Sequence, residues 1–144
     1  MYHYTESGLQ NVWLKDGFVI RKTPYGRGVS VHDVSSLHKA IGLAIARKPK
    51  LTGAELRFLR KEMEMSQSAL AKLIGTSEQN VSLWERRGRV PKTSDRLIRL
   101  LYAEHSDGKN VKIRELIERI NALDRGVHEK LEFEKGKQEW KEAA

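Results

Sequence analysis

Cysteine is absent from the 144-residue chain, so disulfides, cysteine zinc sites and thiol catalysis are excluded. Long apolar runs are missing as well: none approaches the roughly 18 residues of a membrane-spanning helix. The N-terminal "MYHYTESGLQ" lacks the basic-then-apolar layout of a signal peptide. A cytoplasmic protein is the expectation. There is no Gly-rich phosphate loop, nucleophile elbow or paired-carboxylate motif. The five histidines, His3, His32, His38, His105 and His128, show no metal-ligand spacing. Neither enzyme activity nor a cofactor or metal is expected.

What the chain has is positive charge, a formal +8, unevenly spread. Residues 1–50 carry 8 Lys/Arg against 3 acids and residues 51–102 carry 10 against 6, whereas residues 103–144 carry 9 against 10. A basic excess confined to the first two thirds suits a polyanion such as nucleic acid.

The first thirty residues predict strands. "NVWLKDGFVIR" sets two apolar runs around Asp16-Gly17, a dipeptide suited to a two-residue hairpin turn, and "GVSVH" (28–32) adds a third candidate strand beyond the "TPYGRG" loop. Trp13 and Tyr25 could stack on bases as in single-strand binders, although two aromatics in a hairpin region suit a core better. Asp33 can cap a helix whose apolar stripe is Val34, Leu37, Ile41 and Ile45. "RKPK" (47–50) should end it, because Pro49 removes a donor and constrains its predecessor. A segment boundary is therefore placed there.

From Leu51 the pattern changes to short helices. Thr52-Gly-Ala-Glu55 has capping-box spacing ahead of an apolar face Leu56, Leu59 and Met63. Ser66 can cap a second helix ending at Ile74, Ser77 a third ending near Arg86, and Thr93 or Ser94 a fourth ending near Glu104. Only Gly75 and Thr76 separate the second and third of these. Leu70, Ile74, Val81 and Trp84 would face inward, Ala71 would sit where the two backbones approach most closely, and Gly75 can take the left-handed turn conformation. Two short helices joined in this way predict a helix-turn-helix. A plain helical hairpin explains these apolar residues equally well but not the polar run Ser77, Gln79, Asn80 and Ser82. Ile113, Leu116, Ile117, Ile120 and Leu123 make an apolar stripe on one more helix. The charged end of the chain, with Val127, Leu131, Phe133 and Trp140, reads as either an amphipathic helix or a frayed tail.

"LRFLRKEMEMSQSALAKLIGTSEQNVSLWERRGRVP" (56–91) resembles the Xre/Cro/C1-type helix-turn-helix regulators of bacteria and phages: "SQ" opens the second helix, "LAxxIG" precedes the turn and "S..NVS.WE" lies in the recognition helix. The resemblance implies a mainly α fold. Joined to the pattern reading of the flanks, the expectation is a five-helix Xre/Cro-type bundle with a small N-terminal β-hairpin/helix extension (1–50), a DNA-binding domain (51–104), a candidate dimerisation helix (105–124) and a charged tail (125–144). The resemblance also implies roles. Glu78, Gln79 and Leu83, flanked by Asn80 and Ser82, would read bases. Gln67, Ser77, Arg86, Arg87 and Arg89 would contact phosphates. Arg60 and Glu85 would form a structural pair between helices. The chemistry suits these positions: Gln79 and Asn80 match adenine, Glu78 can accept from a cytosine amino group, and Leu83 can touch a thymine methyl.

The run "RKPKLTGAELRFLRKEMEMSQ" after a strand-rich region is similar, more narrowly, to regulators related to MqsA-type antitoxins, whose N-terminal domain binds zinc through cysteines. With no cysteine, that zinc site cannot be carried over. Two functions follow as expectations: a homodimeric double-stranded DNA-binding repressor, open to autoregulation, or an antitoxin that binds a partner toxin and autorepresses its operon. In the first reading the stripe 113–123 is the candidate dimer element; packing on helix 34–46 of its own chain is the alternative.

Overall fold

The computed structural model describes residues 1–108, 112–122, 132–137 and 139–142. The architecture is mainly α with small two-stranded sheets in the N-terminal segment, as expected, and with a further strand pair near the C-terminal end that was not. Two short strands, β1 (Tyr2–His3) and β2 (Trp13–Leu14), pair antiparallel, and β3 (Phe18–Thr23) pairs with β4 (Gly26–Val31). The helices follow in order: α1 (Val34–Ala46), α2 (Gly53–Glu62), α3 (Gln67–Ile74), α4 (Glu78–Arg87), α5 (Lys92–Asp107) and α6 (Lys112–Ala122). A last strand pair, β5 (Phe133–Lys135) with β6 (Trp140–Glu142), ends the described chain.

The hairpin turn is not at Asp16-Gly17. Those residues link strands that do not pair with each other, and the turn of the long hairpin is Pro24-Tyr25, between Thr23 and Gly26. Gly17 does have a positive φ (77°), but its carbonyl accepts from the His32 N–H (2.8 Å), extending the β3–β4 ladder beyond Phe18. Trp13 is not a core residue either: it is 56% exposed and stacks on His3 with ring centroids 4.2 Å apart. Tyr25 is fully exposed at the hairpin tip.

One core unites the N-terminal segment with the helices. Tyr4, Leu9 and Leu14 are buried with Ile41 and Ile45 of α1, Leu56 and Leu59 of α2, Met63 just past its end, and Ile98, Leu101 and Tyr102 of α5. The α1 stripe is shorter than its spacing suggests, because Val34 at its first turn is exposed. Asp33 caps the helix as expected, accepting from the Ser36 N–H. Tyr4 and Nε2 of His38 share a hydrogen bond (2.7 Å), and Nδ1 of His38 lies 2.8 Å from Glu62 Oε1, which ties the N-terminal strand to the end of α2.

The 47–50 boundary is a pinned turn. The Lys48 ammonium pairs with the buried Glu55 carboxylate (2.6 Å), the Leu51 N–H donates to Asp95 Oδ2 (2.7 Å), and Arg99 reaches the carbonyls of Ala46 and Lys48. Asp95 and Arg99 form an ion pair at 2.7 Å. α5 starts earlier and ends later than expected. Pro91 stands at its N-cap (φ −58°, ψ 144°) with no side-chain bond, and its carbonyl accepts from the Asp95 N–H (2.8 Å) to start the helix. Ile113 and Ile117 of α6 are half-buried against the core, where α6 packs mainly on α3 and α5. The side chains of Leu116 and Ile120, and Leu123, Val127 and Leu131 altogether, lie outside the described residues. Phe133 and Trp140 belong to an antiparallel hairpin rather than to a helix or a frayed tail.

Candidate nucleic-acid interface

Local chemistry shapes α3 and α4 before any packing. The Ser66 hydroxyl accepts from the Ala69 N–H (3.0 Å) and the Ser77 hydroxyl from the Asn80 N–H (3.1 Å), so each helix starts on a capped turn. Between them Gly75 adopts φ 79°, ψ 35°, a left-handed conformation that costs a glycine little. The N–H groups of Gly75 and Thr76 both return to the Ala71 carbonyl, which turns the chain within two residues. Ala71 is 2% exposed at this turn, where a longer side chain would push the helices apart.

α4 then has two faces. Val81 and Trp84 are buried. Glu78, Gln79 and Asn80 are exposed on its first turn, and Ser82 and Leu83 are half-buried at the edges. One N–H of the Asn80 amide donates to Thr76 Oγ1 (2.9 Å), which restrains that side chain beside the turn. Arg86, Arg87 and Arg89 are all exposed at or just past the C-terminal end, with Arg86 Nε directed at the Ser82 carbonyl (3.4 Å). Gln67 is half-buried at the first position of α3.

Two contacts set the tilt of α4. Arg60 and Glu85 form a forked pair, Nε to Oε2 at 2.8 Å and Nη2 to Oε1 at 2.9 Å, and Arg60 Nη1 donates to the Met65 carbonyl at 2.9 Å. Their side chains are 10% and 5% exposed, so both charges are nearly out of water and each depends on the other. The second contact is backbone to backbone. A Cβ on Gly53 would overlap the Glu85 carbonyl and lie 2.8 Å from the Trp84 oxygen, so α2 starts directly against the end of α4. Sequence reasoning treated Gly53 only as the middle of a capping box. Its signal, a glycine at the first position of a helix, has too many other uses to single out a contact 32 residues away.

The same approach gathers charge. Lys50, Arg86 and Arg87 line one cleft with Thr52, Gly53 and Ala54 at the start of α2. Lys50 was not among the expected phosphate ligands. Three cations around a helix N-terminus form a surface for phosphate oxygens.

Residues 56–101 match the family model described as Helix-turn-helix. No curated protein and no solved structure matches the chain. The matched segment spans α2 to α5 as far as Leu101, and it is a helix-turn-helix domain of the Xre/Cro/C1 type. The protein is accordingly a DNA-binding transcription regulator. No helix among the described residues is long and apolar enough to cross a membrane.

Proposed function

We propose that the protein is a transcription repressor that binds a two-fold operator as a homodimer, each subunit laying α4 in a major groove. In this reading Glu78, Gln79, Asn80, Ser82 and Leu83 contact base edges, and Gln67, Ser77, Arg86, Arg87 and Arg89 hold phosphates. The carrying observation is the exposed polar turn Glu78–Asn80 on a helix whose opposite face is buried and whose tilt is held by Arg60 and Glu85. A bare helical hairpin has no need of such a surface. Dimerisation follows from size: one module buries too little surface to select a site within a genome, and half-sites about 34 Å apart double the contact. Leu100, 52% exposed on α5, offers an apolar position for the subunit contact. Occupancy of both half-sites would exclude other proteins from the duplex, which is repression by obstruction.

A second reading, an antitoxin that also represses its operon, draws support from the C-terminal hairpin. Its register places Phe133 and Trp140, 59% and 66% exposed, on one face, an apolar anchor for a partner protein. Selection of binding sites from random duplexes, followed by footprinting of the winner, tests the leading reading. Two protected half-sites one helical turn apart are expected; protection without a repeated half-site would overturn the dimeric operator. Co-purification of a small toxin would favour the second reading.

A further inference from the structure

The β3–β4 hairpin is left over from the fold. Its ladder has six residue pairs, about 20 Å of ribbon, yet only Phe18 and Val31 at its base touch the core. Every residue from Val19 to Ser30 is exposed. A two-stranded ribbon with both faces in water is marginal by itself, and two details make this one poorer still as a purely structural element. Lys22 and Arg27 are direct partners across the ladder, a like-charge pair that the pairing itself opposes. On the other face Gly28 stands opposite Arg21, and a Cβ there would meet nothing nearer than 4.0 Å. The fold therefore does not require a glycine at 28, which weakens the strand but leaves that face flat for a close approach from outside.

No acidic residue occurs between Gly17 and His32, so nothing on the ribbon neutralises Arg21, Lys22 and Arg27. Tyr25 projects, fully exposed, from the tip beside them. Like charges held opposite one another, a flat glycine face and a tip without acids fit one kind of occupant, a polyanionic backbone.

We infer that the β3–β4 hairpin is a second DNA-contacting arm, with Arg21, Lys22 and Arg27 seated on phosphates outside the segment read by α4. The inference rests on the DNA-binding reading above. It enlarges the contact of each subunit beyond the helix-turn-helix without adding base specificity, because phosphate contacts position and do not read.

The test uses the full chain and a random-sequence duplex of about four helical turns, with affinity measured against salt. Arg21→Ala, Lys22→Ala and Arg27→Ala combined should reduce the slope of log affinity on log salt by about 2–3. On the selected operator they should shorten the footprint at its outer edge with base preference unchanged. Lys22→Glu gives the ladder an opposite-charge pair with Arg27, so its thermal midpoint should hold or rise while DNA affinity falls. Unchanged salt slopes in both variants overturn the arm, as does a change in sedimentation coefficient that accounts for the lost affinity by lost self-association. Gln79→Ala and Arg86→Ala in the same series separate the two readings. If they weaken binding and the hairpin variants do not, the arm fails and the helix-turn-helix reading stands; the reverse pattern keeps the arm and removes α4 from the groove.

Discussion

The carbonyl of Glu85 occupies the space that a methyl group on Gly53 would need, so the first residue of α2 is packed against the last turn of α4. The side chain of the same glutamate is held by Arg60, on α2 itself. Backbone and side chain of one residue thus register α4 on α2. The following expectations concern that register and the surfaces it presents.

Gly53→Ala should destabilise the fold by about 1–3 kcal/mol, the range for forcing an extra methyl into a packed contact, because the atoms it meets are backbone and cannot rotate away. The same shift tilts α4, so affinity for the selected operator should fall more than affinity for random DNA. Thermal melts and binding to both duplexes check this; a variant as stable as the parent would show that the two helices have room to part.

Arg60→Ala leaves the Glu85 carboxylate buried and unpaired and should cost about 3–5 kcal/mol. Arg60→Met with Glu85→Leu removes both charges and should recover most of that stability. The double variant isolates the positional role of the pair: melting near the parent value together with weakened operator binding is expected, and full operator affinity would mean that the forked pair does not orient α4.

Gln79→Ala should weaken binding to the selected operator by about 1–3 kcal/mol and leave random DNA nearly unaffected. Arg86→Ala should lower both affinities and reduce the salt slope by about one. Equal losses on both duplexes for Gln79→Ala would count against base reading at that position.

Leu100→Glu tests the subunit contact without touching the core, since that side chain is already half in water. Sedimentation should show a monomer with the parent melting profile. Ile117 is a poorer probe than its place in the apolar stripe suggests, because it packs on its own chain and a charge there would also disturb the fold.

High pH should loosen the N-terminal strand. Burial pushes the Tyr4 hydroxyl above its ordinary value, and the Glu6 and Glu62 carboxylates add to the effect. A group raised in this way contributes stability that is complete below the ordinary value of 10.0 and disappears as pH climbs through the folded value. Tyr4→Phe should lose about 1 kcal/mol at neutral pH through its bond to His38 and then show a smaller alkaline loss than the parent. Tyrosinate absorbance followed alongside unfolding measures both; identical alkaline profiles would exclude Tyr4 as the group responsible.

Residues 52–87 were legible because their information is local: a capping box at Thr52–Glu55, two serine caps and a glycine turn each specify backbone within a few residues. The N-terminal fifty were legible in kind and misread in pairing. Asp16-Gly17 does turn the chain, but which strands meet depends on the two-residue connection at Pro24-Tyr25 and on Tyr2 and His3 returning to Leu14 and Trp13. The candidate site divides in the same way. Exposed and buried faces of α4 follow from helical period, whereas Lys50 and Gly53 join it only through tertiary approach, which spacing along the chain does not encode.

Asp95 and Arg99 lie in the helix-turn-helix domain, but their partners include the Leu51 N–H and the carbonyls of Ala46 and Lys48. A fragment cut to the matched residues 56–101 would keep a buried aspartate and a half-buried arginine while discarding those backbone groups, together with Gly53 and Tyr4. The contacts that hold the motif in place therefore reach beyond the motif by which it is recognised, and the N-terminal segment supplies Tyr4, Leu9 and Leu14 to the same core.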